Sequence, residues 1–296
     1  TNRGESKFKD RALHIERLEE GDWWFCDGLK VSPASAGTLA GVRFEDPARL
    51  TTKANFEDVP PGGYIPEEHV KDIDIDGIDV SIIYPTVSIG LYAVPDSELV
   101  TSSCKTYNDW IGEFCNAVPS RLKGICALVI DDVEASVREL ERCSKMGLVG
   151  ALIPVYHSDG RSYDRPEYEP LWAAAQNLGM PLSMHIGTVR VSNSQDHSSY
   201  DDLSATYIAN RDHWVRMSLG HMIFSGVFER YPRLQVGSVE HELAWVPHFL
   251  GRIDNVYTQR EREHLRGYRF KDDAVPSDFF HSNVFLGFLE DSFGIE

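Results

Sequence analysis

Imidazole and carboxylate groups meet where three apolar runs of this chain end. The run 181–186 (PLSMHI) carries His185 just before Gly187, the run 234–239 (LQVGSV) leads into Glu240-His241, and the run 283–288 (NVFLGF) leads toward Glu290-Asp291. If the runs are parallel strands, these are the ends at which α/β folds place their active sites. Imidazole and carboxylate on adjacent strand ends form the donor set of a zinc, manganese or iron site. Neighbouring strands lie about 4.8 Å apart, so His185 and His241 can face one site. Strict alternation would send Glu240 and His241 to opposite faces, and His241 is taken as the inward one. Glu240, His157 (after the run 149–155) and Arg190 (five residues past His185) are further candidates for metal or substrate contact. Each position also has a plainer reading. A strand-end histidine can be a hydrogen-bonded rim residue. Glu240 can hold an arginine or cap a helix, and Glu290 and Asp291 can cap a short one. His69, His213, His221, His248 and His264 fall on helical patterns and read as structural.

Six apolar runs must position these groups: 80–84 (VSIIY), 124–130 (GICALVI), 149–155 (VGALIPV) and the three above. They are apolar on both faces, the pattern of parallel strands covered by helices. Helical patterns lie between them. Asp131 and Asp132 can cap a helix with Val133, Val137 and Leu140 inside, ended by Gly147. Residues 170–178 start with a proline and stop at Gly179. Residues 103–117 are helical up to Pro119, and 205–230 and 242–264 read as two longer helical regions. Strand–helix alternation gives a parallel sheet, either closed or doubly wound. Ahead of it, Asp27-Gly28 between apolar residues predicts a type I′ hairpin. Residues 32–66 are rich in Pro, Gly and Ala and have no period.

The 296 residues carry a formal charge of −17, which repels phosphate backbones and anionic lipid and excludes a general nucleic-acid or membrane-surface role. No apolar run reaches the roughly 18 residues of a membrane span. Residues 1–20 are charged throughout, unlike a secretory signal. Five scattered cysteines without C-x-x-C read as reduced, mostly core thiols of a cytoplasmic protein. There is no G-x-G-x-x-G after a strand, no Walker A lysine, no G-x-S-x-G and no H-E-x-x-H, which argues against nucleotide cofactors and serine hydrolysis.

Four segments carry a resemblance: DIDIDGIDVSIIYPT (72–86), YNDWIGEFCNAVPSRLKGICAL (107–128), YEPLWAAAQNLGMPLSMHIGT (168–188) and MIFSGVFERYPRLQVGSVEHELAWVPHFLGRID (222–254). Through them the chain resembles the metal-dependent amidohydrolase-related family that includes aminocarboxymuconate-semialdehyde decarboxylase. The resemblance implies an α/β fold of the TIM-type (β/α)8 barrel. Residues 1–68 would be an insertion with a small hairpin and long loop, and 69–296 would supply strands two to seven of a single domain. It also implies His185 as a metal ligand and His241 as the acid/base residue, or as a ligand in two-metal relatives. The family's H-x-H pair on the first strand and its G-S-D-Y-P-H-like run after the eighth are both absent. On that reading the chain is the middle of a longer polypeptide. The family's Gly-rich run after His241 is replaced by Glu242-Leu243-Ala244.

The activity implied is decarboxylation of a small aromatic or unsaturated carboxylic acid. Hydrolysis of C–N or C–C bonds, an iron-dependent oxygenase, and a non-catalytic subunit pairing with an active paralogue are the alternatives. The implied cofactor is a divalent metal, zinc first, with manganese or iron behind it. The expected partners are a small carboxylic acid and further copies of the chain as dimer or tetramer, or a different subunit.

Overall fold

In the computed structural model the described residues are 6–39, 53–191, 205–258 and 269–296. They form two compact units. The first contains the described residues of 1–127 and 145–149, and the second those of 128–144, 150–191 and 205–296.

The first unit opens with an antiparallel sheet of β1 (His14–Leu18), β2 (Gly21–Cys26) and β3 (Leu29–Pro33), in that order. The β2–β3 turn is the predicted hairpin. Asp27 and Gly28 take φ of 54° and 73°, and Cys26 pairs with Leu29. Positive φ at both central residues is what a type I′ turn demands. Arg11 grips Asp27 through two hydrogen bonds and reaches Asp96 with a third. The guanidinium holds Asp27 below the usual carboxylate range, and Asp96 is held below it by the Leu99 amide first and then by Arg11.

Asp96 also caps the long helix Ser97–Ala117 by accepting from the Glu98 and Leu99 amides. That cap starts the helix six residues before the predicted 103. Its inner stripe includes Leu99, Cys104, Ile111 and Cys115. The buried Asn108 binds both the amide and the carbonyl of Ala127, fixing the helix to β5 (Leu122–Ala127). β5 pairs in parallel with β4 (Ser81–Ile83).

The second unit is built on four parallel strands in the order β11 (Val284–Gly287), β10 (Val236–Val239), β8 (Leu182–His185), β6 (Gly150–Ile153). A two-residue parallel ribbon, β7 (Tyr156–His157) with β9 (Val189–Arg190), extends beyond β6 and β8. All six predicted strands are present. β6 and β8 are buried along their whole length, as their apolar runs require. β4 and β11 depart from the expected two-sided burial: Ile82 is 58% exposed and β11 is only half-buried. Both are edge strands, so one flank of each has no sheet neighbour among the described residues.

The helices follow their signals with two changes. Helix Glu169–Leu178 ends at Gly179 in the left-handed conformation, φ 63°. The predicted 205–230 region is broken into Ala205–Ala209, His213–Phe224 and Val227–Arg230, with Gly226 at φ 74° before the last. The region 242–264 yields Val246–Thr258, and residues 259–268, with His264, lie outside the described residues. All five cysteines are free and buried. No helix among the described residues is long and apolar enough to cross a membrane.

Candidate active site

The apolar strands β8 and β10 carry two histidines to one end of the second unit. Val239, the last residue of β10, is the register partner of His185, the last residue of β8. The ladder continues one step further, with Ile186 donating to Val239 and Glu240 donating to Gly287. There the strand stops. Glu240 and Glu242 take φ of 63° and 61°, positions that ordinary side chains disfavour by roughly 1–2 kcal/mol each. This double kink cancels the alternation expected for Glu240 and His241. Glu240 turns to His185, its Oε2 3.4 Å from Nε2. His241 instead is buried, with Nδ1 3.1 Å from the Ser238 hydroxyl.

The His185 ring is oriented from behind. Its Nδ1 lies 2.8 Å from the Ile186 carbonyl, which only accepts, so Nδ1 carries the hydrogen. Nε2 is then the nitrogen offered to the site, and it faces a carboxylate. Two lone-pair groups this close need a proton or a cation between them. A backbone carbonyl behind Nδ1 is also the usual support of a metal-ligating histidine. His185 with Glu240 therefore fits part of a divalent-metal site. No group of three His, Cys, Asp or Glu residues suited to a metal forms among the described residues.

His241 Nε2 is buried without a hydrogen-bond partner among the described residues. Burial pushes this imidazole down to about 3, with smaller contributions from the neighbouring His185 and the Arg211 guanidinium. It is therefore neutral at pH 7, not poised near 6.5. Glu240 is held below the usual carboxylate range, first by its hydrogen bond to His185. Arg211, which no sequence motif marks, pairs with Glu242 at 3.2 Å. Asp291 locks the loop after His241 by accepting from the Leu243 and Ala244 amides, and it also caps the helix Ser292–Ile295 through Gly294. Glu290 is exposed.

The other two candidates sit in a separate buried cluster. Arg190 is fully buried on β9, with Nε and Nη2 on Asp131 Oδ2 at 2.8 and 2.7 Å and Nη1 on the Val191 carbonyl. His157 is 1% exposed and sits edge-on to Tyr163, and burial pushes it down to about 4. Asp132 alone caps the helix Val133–Lys145, through Ala135. Asp131, expected to share that role, faces Arg190 and Arg161 instead. His69, read as structural, bonds the Gly62 carbonyl and the Ser81 hydroxyl.

The amidohydrolase family pattern matches residues 33–279, most of the chain. The chain belongs to the amidohydrolase family. Within that family it is similar to the gamma-resorcylate decarboxylase of Polaromonas sp. (strain JS666), 29% identical over 230 residues, which are 75% of this chain and 68% of that protein. A solved amidohydrolase from Mycobacterium avium subsp. paratuberculosis superposes with a TM-score of 0.71 over 98% of this chain and 80% of its own, at 20% identity. The 5-carboxyvanillate decarboxylase of Novosphingobium aromaticivorans, crystallised with manganese, superposes with a TM-score of 0.58 over 74% of this chain and 61% of its own, at 25% identity. The fold is thus the α/β architecture of amidohydrolases.

Proposed function

We propose that this amidohydrolase is a metal-dependent decarboxylase of a small aromatic carboxylic acid, working in a β/α-barrel architecture. The observation that carries the reading is the His185 Nε2–Glu240 pair at the ends of β8 and β10, beside the orphaned His241 Nε2. The activity named for the Polaromonas relative supplies the reaction class.

His185 and Glu240 would hold a divalent metal, with manganese, as in the carboxyvanillate enzyme, and zinc as the two candidates. A metal held there would supply Lewis-acid polarisation of a substrate oxygen. The reaction adds a proton to the ring carbon bearing the carboxylate. The bond from that carbon to the carboxylate carbon then breaks, its electron pair restores the ring, and CO2 leaves. His241 is the proton carrier, acting at Nε2. In the free protein burial, with His185 and the Arg211 guanidinium nearby, keeps it neutral. The negative charge of a substrate beside it raises its proton affinity, so the proton is taken up as the substrate docks. Ser238 fixes the ring through Nδ1.

The test is release of CO2 from gamma-resorcylate and carboxyvanillate by the manganese- or zinc-loaded protein, with elemental analysis of wild type and His185→Ala. CO2 release from one of them, with metal content lost in the variant, is the expected result. Equal metal content in both proteins removes His185 from the site. O2 consumption, or hydrolysis without CO2, overturns the decarboxylase reading.

A further inference from the structure

With Glu240 assigned to the metal, an anionic substrate still meets the Glu242 carboxylate, on a chain of net charge −17. Something must offset that repulsion. Arg190 cannot, since it is 1% exposed and its guanidinium is occupied by Asp131 and the Val191 carbonyl. Arg161 is divided between Asp131 and Asp159.

Arg211 is differently placed. The Tyr207 hydroxyl, on the short helix Ala205–Ala209, accepts the backbone N–H of Gly187, two residues past His185. Four residues on, Arg211 Nη1 donates to Glu242, the residue after His241. One short segment thus spans both site loops, touching the first at Gly187 and the second at Glu242. The Arg211 side chain is 25% exposed, and Glu242 and Glu240 are 23% and 34% exposed, so all three border accessible space. Its positive charge is felt at both Glu240 and His241. Beyond Nη1 and a 3.4 Å contact from Nε to the Ile208 carbonyl, Nη2 has no partner among the described residues.

We infer that Arg211 is the receptor for the substrate's carboxylate, carried on the segment 205–211 that bridges the His185 and His241 loops. The inference rests on the decarboxylase reading for its substrate class. A guanidinium presents paired donors that match a carboxylate, and Glu242 keeps it oriented until the substrate arrives. The role is specific to ground-state binding. A cation on the departing carboxylate stabilises the substrate at least as well as the state in which negative charge flows into the ring. Loss of Arg211 is therefore read mainly in KM.

The experiment compares gamma-resorcylate with resorcinol, which differ only by the carboxylate, in calorimetric titration of the metal-loaded full chain. Arg211→Gln is expected to weaken gamma-resorcylate by about tenfold or more and resorcinol by less than about twofold, the loss expected for one charge-assisted pair. Arg211→Lys keeps the charge and restores part of the difference. Tyr207→Phe loosens the bridge without touching the receptor and weakens both ligands alike. Equal weakening of both ligands in Arg211→Gln reduces Arg211 to a loop pin and overturns the inference. So does a wild type that binds the benzoate no more tightly than the phenol. An Arg211-dependent preference for the benzoate without CO2 release leaves this inference standing and removes the decarboxylase reading instead.

Discussion

Two clusters of charged groups lie in the same unit and have opposite characters. Around Arg190 the charges are paired and sealed: the guanidinium binds Asp131 and a carbonyl, and the side chain is inaccessible. Around His185 the histidines are buried but Glu240, Glu242 and Arg211 remain partly exposed, and two residues hold disfavoured backbone angles. Left-handed backbone angles at two glutamates, beside accessible charged groups, concentrate at one strand end and mark the place where a demand other than stability wins.

The contrast breaks most visibly through activity. His241→Asn is expected to lower kcat by about 10²–10⁴-fold, the usual contribution of a general acid–base group. Unfolding in urea should change by no more than about 1 kcal/mol, because one neutral polar side chain replaces another. A large loss of stability with unchanged kcat would exchange the roles of the two clusters.

Arg190→Met is the converse test. It strands the Asp131 carboxylate beside Arg161, and removing one partner of a buried pair costs about 3–5 kcal/mol. A urea midpoint close to wild type would show that Asp131 is solvated, not locked.

Acid should act on the sealed cluster as well. His157 is neutral in the fold, with a proton affinity near pH 4, whereas in the unfolded chain it titrates near about 6.5. The unfolded state therefore takes up the proton first. Stability is full above about pH 6.5 and falls as the pH drops toward 4, by on the order of 3 kcal/mol for this group. Melting curves of wild type and His157→Gln between pH 7.5 and 4.5 should converge as the pH falls. Parallel curves would assign the acid sensitivity elsewhere.

The smallest effect has opposite signs in its two readouts. Glu240→Gly relieves the left-handed backbone and should raise stability by up to about 1 kcal/mol. The same change removes the carboxylate facing His185, so bound metal and turnover should fall. A gain in both would mean that Glu240 only strains the loop.

What could be read from the sequence follows from what kind of force fixes each part. The six strands were legible because burial selects continuous apolar runs, and the β2–β3 turn because Asp-Gly is close to obligatory there. β1 was not legible. HIERL is mostly exposed and is a strand only because it pairs with β2, from His14 with Phe25 to Leu18 with Gly21. His185 and His241 could be singled out as strand-end residues. Their orientation could not, since it depends on positive φ at two glutamates that ordinary rules keep out of that region. Asp131 and Asp132 look identical as helix caps, yet only tertiary contacts send the first to Arg190. Arg211 has no neighbours in sequence that announce it. Its place depends on a loop closing against Glu242 from 31 residues away.

The buried thiols turn the molecule into its own reporter. Cys26, Cys104, Cys115 and Cys126 lie in the first unit and Cys143 in the second, and none is more than 5% exposed. Burial also pushes the Cys26 and Cys115 thiols up to about 12 and about 11, so hardly any thiolate is present at neutral pH. An alkylating reagent must therefore wait for an opening event before it can react. Labelling at Cys143 against labelling at the other four clocks the opening of each unit separately, in the native buffer and without any introduced cysteine.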